Sequence, residues 1–401
     1  MATPSPFGGN GDPRPAAAVA ATAGPRILFF SGGTALRETV RELAKANRNT
    51  IHLVTPFDSG GSSAALRRAF AMPAVGDARS RVMALAEADR EGNPEIFTLF
   101  SYRLPDDETA KKLKAELVRL VRGSHPLLRQ IPEPANGIIR EHLTWFALHM
   151  PVDFPLAGAS VGNLVLTAGY LRNNKRRLGP VLALFSRLVR SRGLVRTIVE
   201  DHLHLAVRLA SGEVLLGQHN FTGKDAPGIA SPITDIWLAK PGADSALGSA
   251  PATPAITPRI AKLIRSAACI CYPVGSFYSS VVANLLPCGV GRAIADCSGP
   301  KVFTPNLGVD PELAGHSLGT QIERLLRPLL ADAPGAKPSD FLSLVIVDRE
   351  NGHYPGGLPE HLLASLGIRL AHFPLVAEGK THAHPCALAK AVSLAATGEL
   401  N

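Results

Sequence analysis

A short apolar run, RILFF at 26–30, breaks off at Ser31-Gly32-Gly33-Thr34 and gives way to a stretch whose Leu36, Val40 and Leu43 recur at helical spacing. A second apolar run, TIHLVT at 50–55, follows at once. Unbroken apolar runs of this length suit strands buried on both faces, and strand, helix and strand in this order make a β-α-β unit. Such units assemble into a parallel sheet with helices on both faces. Four later runs, ACICYPV at 268–274, KVFTP at 301–305, FLSLVIV at 341–347 and IRLAHFPL at 368–375, predict further strands of the same sheet.

The middle of the chain reads differently. Residues 57–88 read as a polar, glycine-rich loop running into helix, and amphipathic patterns predict helices near 106–122, 138–149 and 162–173. Between 194 and 220 the segments LVRTIV, LHLAVRLA and EVLLGQ predict antiparallel strands, with a hairpin at Ser211-Gly212. The Pro/Ala/Gly/Ser-rich stretch 241–258 reads as a loop, and CALAKAVSLAA as the last helix. The expected fold is α/β: a doubly wound, mostly parallel, Rossmann-like sheet with a helical and small antiparallel excursion. A disordered tail at 1–24 would precede a single domain at 25–401, with an inserted subdomain at about 90–260.

Composition narrows the partners. The chain has 401 residues, 46% of them hydrophobic, and a formal charge of +9 that favours anions. No apolar stretch reaches the ~20 residues that a membrane helix needs. The start lacks the basic region and leucine-rich run of a secretory signal, so a cytoplasmic location is expected. Five cysteines with no CxxC pair suggest neither disulfides nor a zinc site; Cys269 and Cys271 alternate as small buried strand residues.

Three strand-ending loops carry the chemistry. Ligands of open parallel sheets bind beyond the carboxyl ends of the strands. At the first loop, Gly32 and Gly33 let backbone approach a ligand, and Thr34 can either touch a phosphate or cap the helix. The second, TPFDSGGSSAALRR at 55–68, offers Asp58 for a metal or a hydroxyl, and Gly60, Gly61, Ser62 and Ser63 as donors for oxyanions. Its plainer reading is a loop with Ser62 as helix cap and Arg67-Arg68 as solvated surface. The third places Gly275, Ser276, Ser279 and Ser280 between a strand and an apolar helix.

These loops, with GDARSRVMALA at 76–86, GNLVLTA at 162–168, VGSFYSSVVANLL at 274–286 and NLGVDPE at 306–312, occur in the order found in the 2-phospho-L-lactate transferase (CofD-like) family, which also contains the UDP-sugar-binding gluconeogenesis factors. The chain resembles that family from about Arg26 to Glu323. The resemblance implies a Rossmann-like fold and transfer of a phospholactyl-type group from a guanosine diphosphate-activated donor to a deazaflavin. It implies Mg²⁺ held by Asp58, the catalytic carboxylate, and a nucleotide diphosphate or nucleotide-sugar ligand on Gly32, Gly33, Thr34, Asp77, Asn163, Gly275 and Ser276. Two departures mark a divergent subgroup: Ser59 stands where a second aspartate is usual, and Ala35 follows the first loop in place of glycine. The alternative to a transferase is a non-catalytic nucleotide-sugar-binding regulator of carbon or cell-envelope metabolism.

Other features read more plainly. The eight basic residues Arg172, Lys175, Arg176, Arg177, Arg187, Arg190, Arg192 and Arg196 lack interleaved aromatics, which favours a solvated face over a nucleic-acid surface. His202 with His204, and His382 with His384, form His-x-His pairs without the cysteine or carboxylate partners that a metal site needs. Association of identical copies stays open.

Overall fold

The computed structural model describes residues 24–86, 93–173, 176–223, 228–241, 251–377 and 379–400; most of the expected N-terminal tail, residues 1–23, lies outside them. The two opening apolar runs form β1 (Ile27–Ser31) and β2 (Thr50–Val54), buried at every position. Between them α1 (Arg37–Ala46) turns Val40, Leu43 and Ala44 onto the sheet, with Glu38 in its first turn and Lys45 in its last.

The segment after β2 is more ordered than its composition suggests. It holds two helices, α2 (Gly61–Phe70) and α3 (Gly76–Ala84), separated at Ala71, which adopts a left-handed conformation with φ +47°. Further helices include α4 (Pro94–Ser101), α5 (Ala110–Val121), α6 (Ala135–His149) and α7 (Val161–Arg172). Every residue of α7 from Val161 to Tyr170 is buried, so this helix runs through the interior.

The run LVRTIV corrects an expectation. Its β3 (Leu194–Thr197) pairs parallel with β2, Ile51 opposite Leu194, and closes one edge of the main sheet. Four apolar-rich residues cannot by themselves distinguish a parallel from an antiparallel partner. The expected hairpin forms between β4 (His204–Leu209) and β5 (Val214–Leu216), with Gly212 at φ +90°. Its other neighbour, β6 (Ile233–Ala239), was not apparent in the sequence, and β7 (Pro251–Ala252) completes a four-stranded sheet ordered β5-β4-β6-β7. Of the expected loop at 241–258, residues 242–250 lie outside the described residues.

The later apolar runs form β8 (Cys269–Tyr272), β9 (Lys301–Phe303), β10 (Leu344–Val347) and β11 (Arg369–His372). The main sheet is parallel throughout, ordered β11-β10-β9-β8-β1-β2-β3. The fold expectation of an α/β, doubly wound parallel sheet thus holds. From β1 the chain steps outward to β2 and β3, then returns to the other side of β1 as β8 and continues to β11. Strand order therefore reverses between β1 and β8. In open parallel sheets such a switch point is where ligands are received. Among the described residues no helix is long and apolar enough to cross a membrane, and all five cysteines are free thiols.

Candidate functional site at the strand crossover

A cleft of about 260 Å³ opens at this crossover. All twelve expected site residues line it: Gly32, Gly33 and Thr34 after β1; Asp58, Gly60, Gly61, Ser62 and Ser63 after β2; Asp77 on α3; Asn163 on α7; Gly275 and Ser276 after β8. At Gly33 and at neighbouring Gly76 nothing larger fits. A Cβ on Gly33 would meet Asp77 Oδ1 at 2.4 Å, and one on Gly76 would meet Ser63 Oγ at 2.5 Å and Asp58 Oδ2 at 3.1 Å.

Asp58 closes its own loop, Oδ1 accepting the Gly60 N–H at 3.0 Å, while Oδ2 lies toward Gly76. Arg67 holds the loop from behind, donating to the carbonyls of Phe57 (3.1 Å), Asp58 (3.0 Å) and Leu203. It is buried structure and not solvated surface; burial lowers its pKa to about 10. Nor is Ser62 the cap: Gly60 precedes the helix, and Ser62, in the first turn, accepts from Asn163 Nδ2 at 2.9 Å. Asn163 Oδ1 is buried and finds no partner.

Sequence reasoning missed the arginines. Arg79, Arg81 and Arg103 line the cleft beside Asp77. Arg81 is fully buried and donates to the Gly32 carbonyl at 2.5 Å, yet its Nε and Nη1 have no partner. Arg79 donates to the Phe100 carbonyl at 3.2 Å and leaves Nε unpartnered. Desolvation by burial brings both guanidinium pKa values down to about 10; neighbouring arginines push the same way, and Asp77 opposes them. Gly162 makes room for this group, since a Cβ there would strike the Phe100 carbonyl at 2.7 Å and Arg79 Cδ at 2.8 Å. The signal was present in GDARSR: charged residues two apart on a helix point to different faces, so both cannot be solvated where one face meets the sheet. Gln218 and His219, after β5, also line the cleft and carried no such signal.

The third loop is built differently from the other two. Its wide, π-type turn (Phe277–Val282) presents backbone N–H groups, but internal carboxylates occupy them. Asp310 Oδ2 accepts from Phe277 at 2.9 Å; Glu312 Oε2 accepts from Tyr278 and Ser279, each at 2.8 Å. Burial and the adjacent Asp310 raise the Glu312 pKa to about 7. Gly275 is tied on both sides to the Asn306 amide. This loop therefore offers the cleft Ser276, Ser280 and the Gly275 backbone, at φ +140°, and no open anion-binding turn.

Ser59, the departure from the aspartate pair, turns away from Asp58: its Oγ lies 2.8 Å from His219 Nδ1 and accepts the His219 N–H at 3.3 Å. His202 and His204 stand in a separate cavity nearby. His382 lines another, and His384 precedes the last helix. Among the described residues no group of three or more His, Cys, Asp or Glu is placed to hold a metal. The basic stretch does not form one face: Arg172 pairs with Glu141, Arg196 is buried in β3, and Lys175 lies outside the described residues.

The model of the 2-phospho-L-lactate transferase CofD family matches residues 27–355. The chain belongs to the CofD family. This CofD-family chain is 25% identical over 364 residues to a Nostoc sp. protein titled "Putative gluconeogenesis factor", covering 89% of this chain but 65% of that one. It is 23% identical over 287 residues to the gluconeogenesis factor of Bacillus subtilis, covering 72% and 69%. In fold it is similar to the crystal structure of a UPF0052-family protein from Bacillus halodurans, with a TM-score of 0.64, 20% identity, and coverage of 92% of this chain and 98% of that one.

Proposed function

We propose that the protein transfers a phosphate-linked group from a nucleotide diphosphate-activated donor to an acceptor hydroxyl. The observation that carries this reading is the pairing, in one cleft, of buried and partly unpartnered Arg79 and Arg81 with the carboxylate of Asp58. Polyanion recognition needs fixed cationic donors, and phosphoryl chemistry needs charge neutralised where it develops. Arg79, Arg81 and Arg103 would hold the diphosphate, with the first turn of α2 and Ser62, Ser63 supplying further donors. A second cavity, about 370 Å³ and sharing Thr34, Ala35, Val274, Gly275 and Ser276 with the cleft, leaves room for the nucleoside.

Mg²⁺ suits Asp58: this ion is held through one or two carboxylates plus substrate phosphates and waters, so a complete protein cage is not required. Bound there, it would neutralise charge on the diphosphate; Asp77, set among arginines, is the less suitable ligand. Calorimetry with GDP and UDP, with and without Mg²⁺, tests the binding half. Release of nucleoside monophosphate from a nucleotide diphosphate-linked donor tests the transfer half. Tight nucleotide binding with no such release would favour the second reading, a nucleotide-sugar-binding regulator, for which Ser59 in place of a second aspartate is the supporting observation.

A further inference from the structure

The second cavity is walled in part by a stretch of chain that the family model does not reach. The match ends at residue 355, yet His382, Pro385 and Leu388 line this cavity beside Leu307, Val309 and Pro311 from the segment after β9. The stretch is anchored: the His384 N–H donates to the Leu375 carbonyl at 2.7 Å, Val376 pairs antiparallel with Ala383, and the helix that follows (Pro385–Thr397) packs on α1. These contacts set His382 against Gly308. A Cβ on that glycine would meet His382 Nε2 at 2.4 Å, Cδ2 at 2.7 Å and Cε1 at 3.1 Å, so the imidazole lies across it and a side chain there would displace the ring. Nδ1 lies 3.0 Å from Thr381 Oγ1, and His382 is otherwise exposed.

We propose that His382 is a nucleoside-recognition residue, that its imidazole stacks on the base held in the second cavity, and that the choice of nucleoside is therefore set in part by a segment outside the family match. This rests on the nucleotide-donor reading of the cleft. Two observations carry it. First, no lysine or arginine is among the described residues lining this cavity, whereas Arg79, Arg81 and Arg103 line the cleft. The diphosphate and the uncharged end of a nucleotide thus have separate places. Second, His382 supplies the one aromatic ring among those lining residues; the other walls are aliphatic, proline or small polar side chains. A base presents two flat apolar faces, and histidine is among the side chains on which bases stack. Val309, 97% exposed at the same cavity, adds apolar surface that a bound base would cover. Gly308 is glycine on this account because the recognition ring needs its place.

The test separates the two ends of the nucleotide with matched probes on the full chain. Inorganic pyrophosphate, GDP and UDP are titrated by calorimetry, and GMP and UMP are titrated while the His382 Cε1–H resonance is followed by NMR, assigned by its loss in His382→Ala. His382→Ala should weaken the tighter-bound of GDP and UDP about tenfold, the usual scale for one base–aromatic stack, and leave pyrophosphate within twofold. His382→Phe, which keeps a ring, should retain most of the affinity. Gly308→Ala, which displaces the ring, should behave like His382→Ala. GMP or UMP should shift the His382 resonance saturably. Unchanged nucleotide affinity in His382→Ala, or GDP and UDP binding no more tightly than pyrophosphate, overturns the recognition role and leaves the donor reading of the cleft standing. A saturable His382 shift without pyrophosphate binding supports the role and counts against the diphosphate reading alone. No shift and no binding overturns both.

Discussion

A Cβ added to Gly32 would fall 2.1 Å from Ser280 Oγ. The loops leaving β1 and β8 thus touch across the strand crossover, and the cleft floor depends on the absence of one methyl group. Gly32→Ala should force these loops apart, lowering stability by about 1–3 kcal/mol, the usual cost of overpacking. Nucleotide affinity should fall at least tenfold. Gly61→Ala makes the useful contrast: its φ of +47° strains any side chain, but nothing lies within 4 Å. It should cost about 1 kcal/mol. Urea denaturation and calorimetry on both variants check the difference.

Arg81 joins the first loop to α3 through its bond to the Gly32 carbonyl. Arg81→Met keeps the stem and removes the fork. It should destabilise the protein by about 1–3 kcal/mol, because the carbonyl loses a charged donor. It should also weaken GDP or UDP binding at least tenfold. Arg81→Lys should recover part of the affinity and little of the stability, since a single ammonium cannot reproduce the guanidinium fork.

Glu312 makes the third loop sensitive to pH. Its folded pKa of about 7 lies above the ordinary 4.5, so protonation favours the folded state. That stability is fully present below about pH 4.5 and is lost as pH rises through 7. Relative to Glu312→Gln, which does not titrate, the wild type should therefore lose on the order of 1–3 kcal/mol between pH 5 and 8. Denaturation midpoints of both proteins across that range measure it; parallel curves would mean that the donors from Tyr278 and Ser279 keep Glu312 ionised throughout.

The sheet was legible because strands buried on both faces must be written as unbroken apolar runs, as β1, β8 and β10 are. Ten of the twelve expected residues that line the cleft were legible as small or polar residues in strand-ending loops; Asp77 and Asn163, which lie on helices, were legible only through the family resemblance. What stayed hidden depends on distant pairing. LVRTIV does not state that its partner is β2. The carboxylates that occupy the third loop come from Asp310 and Glu312, over thirty residues later. Arg79 and Arg81 read as ordinary helix charges until Gly162, on another helix, is seen to make space for them.

The basic stretch from Arg172 to Arg196 bends through the end of α7, a further helix (Leu178–Leu188) and β3, with charges spent on Glu141 and on the Val195 carbonyl. Duplex DNA should accordingly bind weakly and without sequence preference, and lose affinity steeply with salt. Fluorescence anisotropy at 50 and 200 mM salt checks this. Tight, sequence-selective binding at physiological salt would promote a nucleic-acid role.

In the proposed function Asp58 would hold Mg²⁺ against a bound nucleotide diphosphate. With Ser59 next to it, Asp58 would carry that task without a neighbouring carboxylate, and Asp58→Asn should remove it. Calorimetry of GDP and UDP with wild type and Asp58→Asn, at low and high Mg²⁺, is the direct measurement. The wild type should bind at least one nucleotide about tenfold more tightly in Mg²⁺, as expected for an ion bridging a carboxylate and phosphates. Asp58→Asn should bind it equally at both metal levels. Identical affinities for the two proteins at low and high Mg²⁺ would contradict the assignment.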